Sequence, residues 1–416
     1  MNRKNRQKLL TFISLFLITI ILLVFSFFRQ EVSSNEFVVR LGNPLLSDGK
    51  TDRALNVWDL QVFQNKIYIA GGSTVENVGP INVWAYDPAN GTFEKEYTVD
   101  EEAIEHFQVF DDELYIPAAD PRSNDANKFY QKTVDGKWHQ YSSDSVTLSH
   151  VRDLIKTSSG DILLIGNSPH SKNSSKPATA ITSDNGMTFQ GAGIDKIPVM
   201  NNNPIILYNW FFSVFSYQNK IYAPTSLLKN KVNLPGVTAV YNPTKNKFEL
   251  DYSLSNINFI PEDLNSNIDQ PIINRIWNPV EYHNNLIYPV RSYSIEPRSY
   301  KQAYMNSLGM YVKSDIKSNP LPLEFPMPNS VGEDAIIIDD QLYALANRKK
   351  LSNKYTIYVF KANDFQANKW SEVLHFDSKN KARSFEYLDG KFYFGLGQDY
   401  GEPIADAGDI LSYTVQ

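Results

Sequence analysis

Apolar and polar residues alternate in short runs along the chain, and one hairpin pattern recurs. It consists of an apolar strand, a polar turn of two or three residues, and a second strand that usually begins with an aliphatic residue and a tyrosine. Seven copies occur: LQVFQNKIYIAGG (60–72), FQVFDDELYIPAA (107–119), LIKTSSGDILLIG (154–166), SVFSYQNKIYAPT (213–225), VEYHNNLIYPV (280–290), AIIIDDQLYALA (335–346) and FEYLDGKFYFGLG (385–397). Asn, Asp and Gly reach positive φ at low cost, so the pattern predicts β-hairpins with tight turns.

A weaker pair of strands lies between successive hairpins, for example NVWAYDPANGTFEKEYTV (82–99) and TAVYNPTKNKFELDYS (238–253). The chain therefore repeats a unit of four strands seven times, with 47 to 66 residues between equivalent positions. One hairpin is marginally stable alone, so the units must stack to bury their apolar faces. Seven repeats of a four-stranded unit predict an all-β fold, a seven-bladed β-propeller with four-stranded antiparallel blades, over residues 37–416.

The seventh repeat is one strand short. Only ILSYTV (410–415) follows the last hairpin, whereas FVVR (37–40) precedes the first repeat and has no partner there. A closed ring removes free sheet edges, so we expect residues 37–40 to form the outermost strand of the last blade.

The N-terminal segment predicts the location of the protein. Residues 1–8 are basic and residues 9–28 form an apolar stretch that, at about 1.5 Å per residue, spans about 30 Å, the thickness of a bilayer core. This pattern predicts a transmembrane signal anchor with a cytoplasmic N-terminus, a linker over 29–36 and an extracytoplasmic propeller. The alternative is a signal peptide cleaved near Ser34, which would release a secreted protein.

Composition narrows the class of protein. Of the 416 residues, 42% are apolar and 13% aromatic, which is too apolar for a disordered chain. The sequence has no cysteine, which excludes disulfides, thiolate metal sites and a cysteine nucleophile. Phosphate-binding, dinucleotide-binding and zinc motifs are also absent from the sequence, so we predict no cofactor and no metal, and leave calcium binding in the acidic loop 399–409 open.

The charge distribution indicates the kind of partner. Residues 1–29 hold five of the 40 basic residues and no acidic residue, which leaves 35 basic against 46 acidic side chains in the remainder. An acidic extracytoplasmic domain does not favour nucleic acid. We therefore expect a monomeric propeller that binds a glycan or a cell-envelope protein and contacts the membrane through its N-terminal helix.

Two short segments resemble repeats of known propeller families. IYIAGG (67–72) followed by VWAYDPANGTF (83–93) resembles a kelch repeat, and TSDNGMTF (182–189) is similar to an Asp-box of sialidase-like propellers. Both resemblances imply the propeller architecture. The second also implies that Asp184 hydrogen-bonds the turn backbone while Phe189 packs into the blade.

The longest and most variable connections fall on one face of the predicted ring, which we call the loop face; the short hairpin turns fall on the opposite turn face. Large polar, charged or aromatic residues precede or begin each innermost strand at the loop-face end of the channel. They are Trp58 and Asp59, Glu105 and His106, His150 and Arg152, Asn209 and Trp210, Arg275 and Trp277, Glu333 and Asp334, and Arg383, with Arg291 nearby. Such convergence at a concave mouth predicts a ligand site.

These residues suggest two functions. Arginine forks suit carboxylates and sulfates, and aromatic rings beside them suit a sugar, so the first is a surface protein that binds a glycan or protein partner. The second is a polysaccharide-acting enzyme, a glycosidase or lyase, with His106 or His150 as general base at the channel mouth. A purely structural alternative has Trp58, Trp210 and Trp277 wedged between blades.

Overall fold

The structure is a computed structural model of the chain. It describes residues 37–49, 52–73, 78–122, 126–143, 148–168, 177–192, 206–229, 232–255, 259–261, 264, 272–295, 303–352, 354–365, 368–398 and 405–415. The basic segment 1–8, the anchor 9–28 and the linker 29–36 lie outside these residues. Among the residues that are described, no helix is long and apolar enough to cross a membrane.

The described strands form seven antiparallel sheets, each built from consecutive strands of the sequence except the last. Blades 1 to 3 comprise Val57–Phe63, Lys66–Gly71, Ile81–Asp87 and Thr92–Val99; Gln108–Phe110, Glu113–Pro117, Ala126–Lys132 and Trp138–Ser143; and His150–Lys156, Ile162–Asn167, Pro177–Thr182 and Gln190–Gly191. Blades 6 and 7 comprise Val331–Ile338, Gln341–Lys349, Tyr355–Asp364 and Lys369–Ser378; and Lys381–Leu388, Lys391–Gly397, Ile410–Thr414 and Val38–Gly42. The prediction of an all-β propeller with seven four-stranded antiparallel blades is confirmed.

Blades 4 and 5 differ in detail because their innermost strand is interrupted. Blade 4 comprises Ile206–Phe211, Phe215–Tyr217, Lys220–Lys229, Val232–Asn242 and Lys247–Ser255, and blade 5 comprises Ile272–Ile276, Val280–Tyr282, Asn285–Ile295, Ala303–Lys313 and Leu321–Pro322. In each blade both short inner strands pair with the same second strand. The four-layer blade is therefore kept, with its inner edge broken in two.

The seventh blade takes its outermost strand from the beginning of the propeller. Val38–Gly42 pairs antiparallel with Ile410–Thr414, which extends the predicted segment 37–40 by two residues toward Gly42. The Arg40 guanidinium donates two hydrogen bonds to the Asp409 carboxylate, at 2.5 Å and 2.8 Å. Main-chain pairing and this charge-assisted contact together close the ring.

The hairpin turns have the backbone conformation that their residues indicate. Both turn residues have positive φ in Gln64-Asn65, Asp111-Asp112, Asp339-Asp340 and Asp389-Gly390. This conformation matches the right-handed twist of the strands that the turns join. The turn after Pro177–Thr182 is held by Asp184, whose carboxylate accepts hydrogen bonds from the Thr188 backbone N–H and hydroxyl.

The core lies between the blades. The tyrosine that recurs at the start of the second strand is fully buried at Tyr68, Tyr115 and Tyr288, and apolar clusters join residues of neighbouring sheets, as Ile67 of blade 1 packs with Tyr393 of blade 7. Burying an aromatic side chain contributes about 2 kcal/mol or more, so stacking supplies the stability that one hairpin lacks.

Candidate functional site

A β-bulge near the loop-face end of the innermost strand recurs in five blades. Blade 4 has it between residues 206 and 208, and in the other four blades it directly precedes a residue that bonds the next blade. In these four blades the register shifts between residues 57 and 59, 151 and 153, 332 and 334, and 382 and 384. The residues at the bulge are therefore Trp58, Arg152, Glu333 and Arg383. Bulges redirect side chains, and these four are among the residues that the sequence places at the channel mouth.

The side chain of the residue that follows each of these four bulges forms a hydrogen bond with the backbone of the next blade. The Asp59 carboxylate accepts a hydrogen bond from the Phe107 N–H at 3.0 Å, and the Asp153 carboxylate accepts one from the Val214 N–H at 2.8 Å. Asp334 accepts from Phe385 N–H at 3.3 Å.

The series continues across the closure of the ring. The Ser384 hydroxyl of blade 7 accepts a hydrogen bond from the Leu60 N–H of blade 1 at 3.1 Å, and the His106 ring nitrogen Nε2 lies 3.0 Å from Asp153 Oδ1 between blades 2 and 3. We call Asp59, His106, Asp153, Asp334 and Ser384 the belt. Its hydrogen bonds join adjacent innermost strands, so the predicted site residues Asp59, His106 and Asp334 hold the blades together.

Burial changes the acidity of the belt. It raises the pKa of Asp334 to about 7, and the charge of Asp59 adds to the effect, while burial also raises the pKa of Asp59 itself. The Ser384 Oγ lies 2.7 Å from Asp334 Oδ2 and 3.2 Å from Asp59 Oδ1, between the two carboxyl groups. Two neighbouring buried carboxyls cannot both ionise cheaply, so this pair holds a proton near neutral pH.

On the loop-face side of the belt lies a layer of buried charges. Arg275 Nη1 donates to Glu105 Oε2 at 3.1 Å, and Arg152 Nη1 lies 3.8 Å from the other oxygen of the same carboxylate. Burial alone would raise the pKa of Glu105, but the charges of Arg275 and Arg152 hold it below its usual value. On the opposite side of the ring Glu333 pairs with Lys381 at 2.8 Å.

Two tryptophans complete this layer. The guanidinium carbons of Arg275 and Arg291 lie 4.5 Å and 4.3 Å from the centre of the Trp277 ring. Arg383 lies 4.6 Å from the Trp58 ring, whose Nε1 donates to the Gly72 carbonyl at 2.8 Å. Cation–π stacking thus packs guanidinium groups face to face with indoles. We call these residues, with Arg152, Glu105, Glu333 and Lys381, the arginine layer.

The structure brings most of the predicted site residues together but buries them. Buried are Trp58, Asp59, Glu105, His106, Arg152, Arg275, Trp277, Arg291, Glu333, Asp334 and Arg383. The side chain of Trp210 lies outside the described ones. The four predicted arginines do not meet at one point, because Arg152 and Arg275 share Glu105, Arg291 lies over Trp277 and Arg383 lies over Trp58. Within the described residues, these charges and indoles are therefore packed against and paired with one another.

His150 differs from the others because it is half-buried. It begins the innermost strand of blade 3 on the loop face, where its Nε2 lies 3.6 Å from Asp120 Oδ1. Its Nδ1 lies 3.1 Å from the Ser149 hydroxyl and 3.3 Å from the Asn167 amide. A histidine held on both nitrogens at the edge of solvent is suited to proton transfer.

Three acidic neighbours of His150 were missed by sequence reasoning. Glu101 and Glu102 lie between blades 1 and 2, and a bridge between Glu101 and Pro121 brings this segment beside Asp120. Burial raises the pKa of Glu101 to about 8 although Lys128 lies 3.0 Å away, and burial together with Asp120 raises that of Glu102 to about 7. The sequence does show two adjacent glutamates before the second hairpin. The contact between their loop and the loop that carries Asp120 could not be predicted, because strand periodicity does not encode contacts between loops.

No protein-family model and no curated protein matches the sequence. Among solved structures, a polysaccharide lyase described as an ulvan lyase has a TM-score of 0.51 at 13% identity, over 90% of this chain and 94% of that chain. A second polysaccharide lyase has a TM-score of 0.44 at 9% identity, over 88% and 91% of the two chains. A periplasmic gluconolactonase from Pseudomonas aeruginosa has a TM-score of 0.44 at 10% identity, over 84% and 99%. What the similarity to the ulvan lyase shows is a shared propeller fold.

Proposed function

We propose that the protein binds an acidic polysaccharide on the loop face at blades 2 and 3 and cleaves it by elimination, with His150 as the proton-transferring residue. The observation that carries the proposal is the half-buried contact between His150 and Asp120, beside Glu102 and above the arginine layer. The raised pKa values of Glu101, about 8, and Glu102, about 7, at the same place are typical of sites of acid–base chemistry.

The charge of the arginine layer favours an anionic ligand. Five cations, Arg152, Arg275, Arg291, Arg383 and Lys381, face only two carboxylates, Glu105 and Glu333, within it. Fixed charges buried under a surface are screened less than exposed ones, so their field extends to the loop face above. Carboxylate or sulfate groups of a polysaccharide complement this field.

The chemistry that we propose uses only groups of this chain. Neutral His150 takes the proton from the carbon next to the sugar carboxylate, and Asp120 stabilises the imidazolium that forms. The electron pair of that C–H bond becomes a C=C bond as the C–O bond to the leaving sugar breaks. Glu102, whose pKa of about 7 keeps it partly protonated, supplies a proton to the leaving oxygen. The exposed side chain of Arg122, two residues after Asp120 and 3.6 Å from the Asp100 carboxylate, offers a charge for the sugar carboxylate.

A panel of acidic and neutral polysaccharides tests the proposal. We expect ultraviolet absorbance from a new conjugated double bond with an acidic polymer, and a loss of at least about 100-fold in rate for His150→Gln. Glu372→Gln, which removes an exposed partner of His375 far from the site, is the matched control and should retain full rate. New reducing ends without the absorbance would indicate hydrolysis instead, and no change with any polymer would contradict catalysis.

Binding without cleavage is the second candidate function. It is favoured by the burial of the candidate arginines, which leaves half-exposed groups such as His150 and Asp120 to meet a ligand. A glycan or a cell-envelope protein is then held by surface complementarity alone. Affinity electrophoresis in the same polymers distinguishes the two functions. A binding protein is retarded without releasing products, and Asp120→Asn, which changes the contact surface, alters its retardation.

The location of the protein is part of the proposal. The apolar segment 9–28 after a basic start supports an anchored protein with its propeller outside the cytoplasm. The full chain is then expected in the membrane fraction and a chain lacking residues 1–30 in the soluble fraction. Recovery of the full chain in the culture medium would indicate cleavage near Ser34 instead.

A further inference from the structure

A cavity separate from the loop-face site lies on the propeller axis. It has a volume of about 520 Å³ and extends from Asp59 and Asp334 toward the turn face. Its lining comes from the innermost strands of all seven blades, and on the loop-face side the belt and the arginine layer close the channel. Within the described residues, the cavity is therefore a pocket of ligand size that is bounded on its loop-face side by buried side chains.

The charges that line this pocket are all acidic. Asp59, Asp334 and Glu386 contribute carboxyl groups, and the lining includes no Lys, Arg or His. In the described part of the chain none of these three carboxyls has an ion-pair partner within 4 Å. The nearest opposing charges, His106 and Arg291, act on Asp59 from the belt and from the arginine layer.

These carboxyls resist ionisation. Burial raises the pKa of Asp334 to about 7 and that of Glu386 well above its usual value. The negative charges of Asp59 and Asp334 raise the pKa of Glu386 further. The Gln61 amide donates to Glu386 Oε1 at 3.4 Å without neutralising it. A cation that enters the pocket would replace the protons that these groups retain.

Aromatic rings form a second, independent feature of the pocket. Phe107, Phe110 and Phe215 line it from blades 2 and 4, with Phe110 half-buried and Phe107 and Phe215 at 3% and 4% exposure, beside the apolar Val214 and Val280. Ring faces attract cations, and alkylated ammonium groups, which shed water easily, gain most from such walls. A hydrated divalent ion gains nothing from them, and among the described residues no cluster of acidic or histidine side chains fits a metal ion.

We infer that the pocket on the turn face binds a small organic ammonium ion, held by the Glu386 carboxylate and the surrounding phenylalanine rings. This site goes beyond the proposed function, because it uses the opposite end of the channel and none of the groups assigned to the polysaccharide. Its ligand is of the opposite charge. An experiment that contradicts one of these two proposals therefore does not bear on the other.

Calorimetric titration with choline and with its uncharged carbon isostere dimethylbutanol tests the inference. We expect choline to bind at least about tenfold more tightly than the isostere, and more tightly at about pH 8 than at about pH 5 as the carboxyls ionise. Glu386→Gln should weaken choline about tenfold. Glu113→Gln, which removes a turn-face carboxylate outside the pocket, should bind choline as wild type does.

Melting curves of both variants establish that they are folded before the affinities are compared. Phe110→Leu provides a second variant. We expect it to lower the affinity for choline and to leave the affinity for the isostere unchanged. Equal binding of choline and the isostere would overturn the inference, as would an unchanged affinity in Glu386→Gln. Displacement of choline by calcium would show a metal site instead and would overturn it too.

Discussion

At the scale of the residue, the belt shows that charged side chains in a propeller can serve the ring rather than a ligand. Asp59, Asp153 and Asp334 occupy the same position after a bulge, and each accepts a backbone N–H from the next blade. Their position before a hairpin was evident from the sequence. Their hydrogen bonds were not, because each partner lies 48 to 61 residues away, on another blade.

The belt makes the stability of the protein depend on pH through Asp334. Its pKa of about 7 in the folded state exceeds the unfolded value near 3.8, so the native state binds the proton more tightly. Its contribution is therefore largest below about pH 4 and is lost as the pH rises through 7. Asp334→Asn removes the buried charge but keeps an acceptor for Ser384.

We expect the unfolding free energy of Asp334→Asn, relative to wild type, to be roughly 2–3 kcal/mol higher at about pH 8 than at about pH 5. Urea titrations at the two pH values measure this difference. Asp389→Asn, at an exposed turn, is the control and should show no such pH dependence. The same difference between Asp334→Asn and wild type at both pH values would contradict the account.

At the scale of the element, the sequence predicted strands and turns better than it predicted side-chain contacts. Period-two alternation and the Asn, Asp and Gly pairs located all seven hairpins, because both follow from local backbone geometry. The interruptions of the innermost strands at Phe212–Val214 and Trp277–Pro279 were not foreseen. At the first of them the Val214 N–H is bonded to Asp153 of the preceding blade, a contact that no local pattern encodes.

The closing strand Val38–Gly42 gives a prediction at this scale. A chain lacking residues 1–30 keeps the strand and should melt as the full propeller does. A chain lacking residues 1–42 loses its pairing with Ile410–Thr414 and the Arg40–Asp409 contact, so it should melt at a lower temperature and aggregate through the exposed edge. Calorimetry of the two chains makes the comparison, and equal melting temperatures would refute closure by this strand.

At the scale of the whole molecule, the channel is divided by charge. The arginine layer gives its loop-face end a surplus of cations, whereas Asp59, Asp334 and Glu386 give its turn-face pocket only acids. From the sequence we predicted the arginines and the acidic residues together at the loop-face end of the channel. The position of a residue along a strand does not show toward which end of the channel its side chain extends. Glu105 and Arg275 meet across 170 residues of sequence, a pairing that only the closed ring creates.

The same division separates the two proposed ligands. An acidic polysaccharide is drawn to the loop face beside His150, and a small ammonium ion to the turn face beside Glu386. If both proposals hold, the two faces select ligands of opposite charge.

Hydrogen–deuterium exchange with an acidic oligosaccharide tests the central claim most directly. We predict slower exchange in residues 100–106, 118–122 and 148–152, which surround His150, and unchanged exchange in the hairpin turns around residues 64, 111 and 389. Protection of those turns, or no protection around His150 at saturating oligosaccharide, would contradict the account.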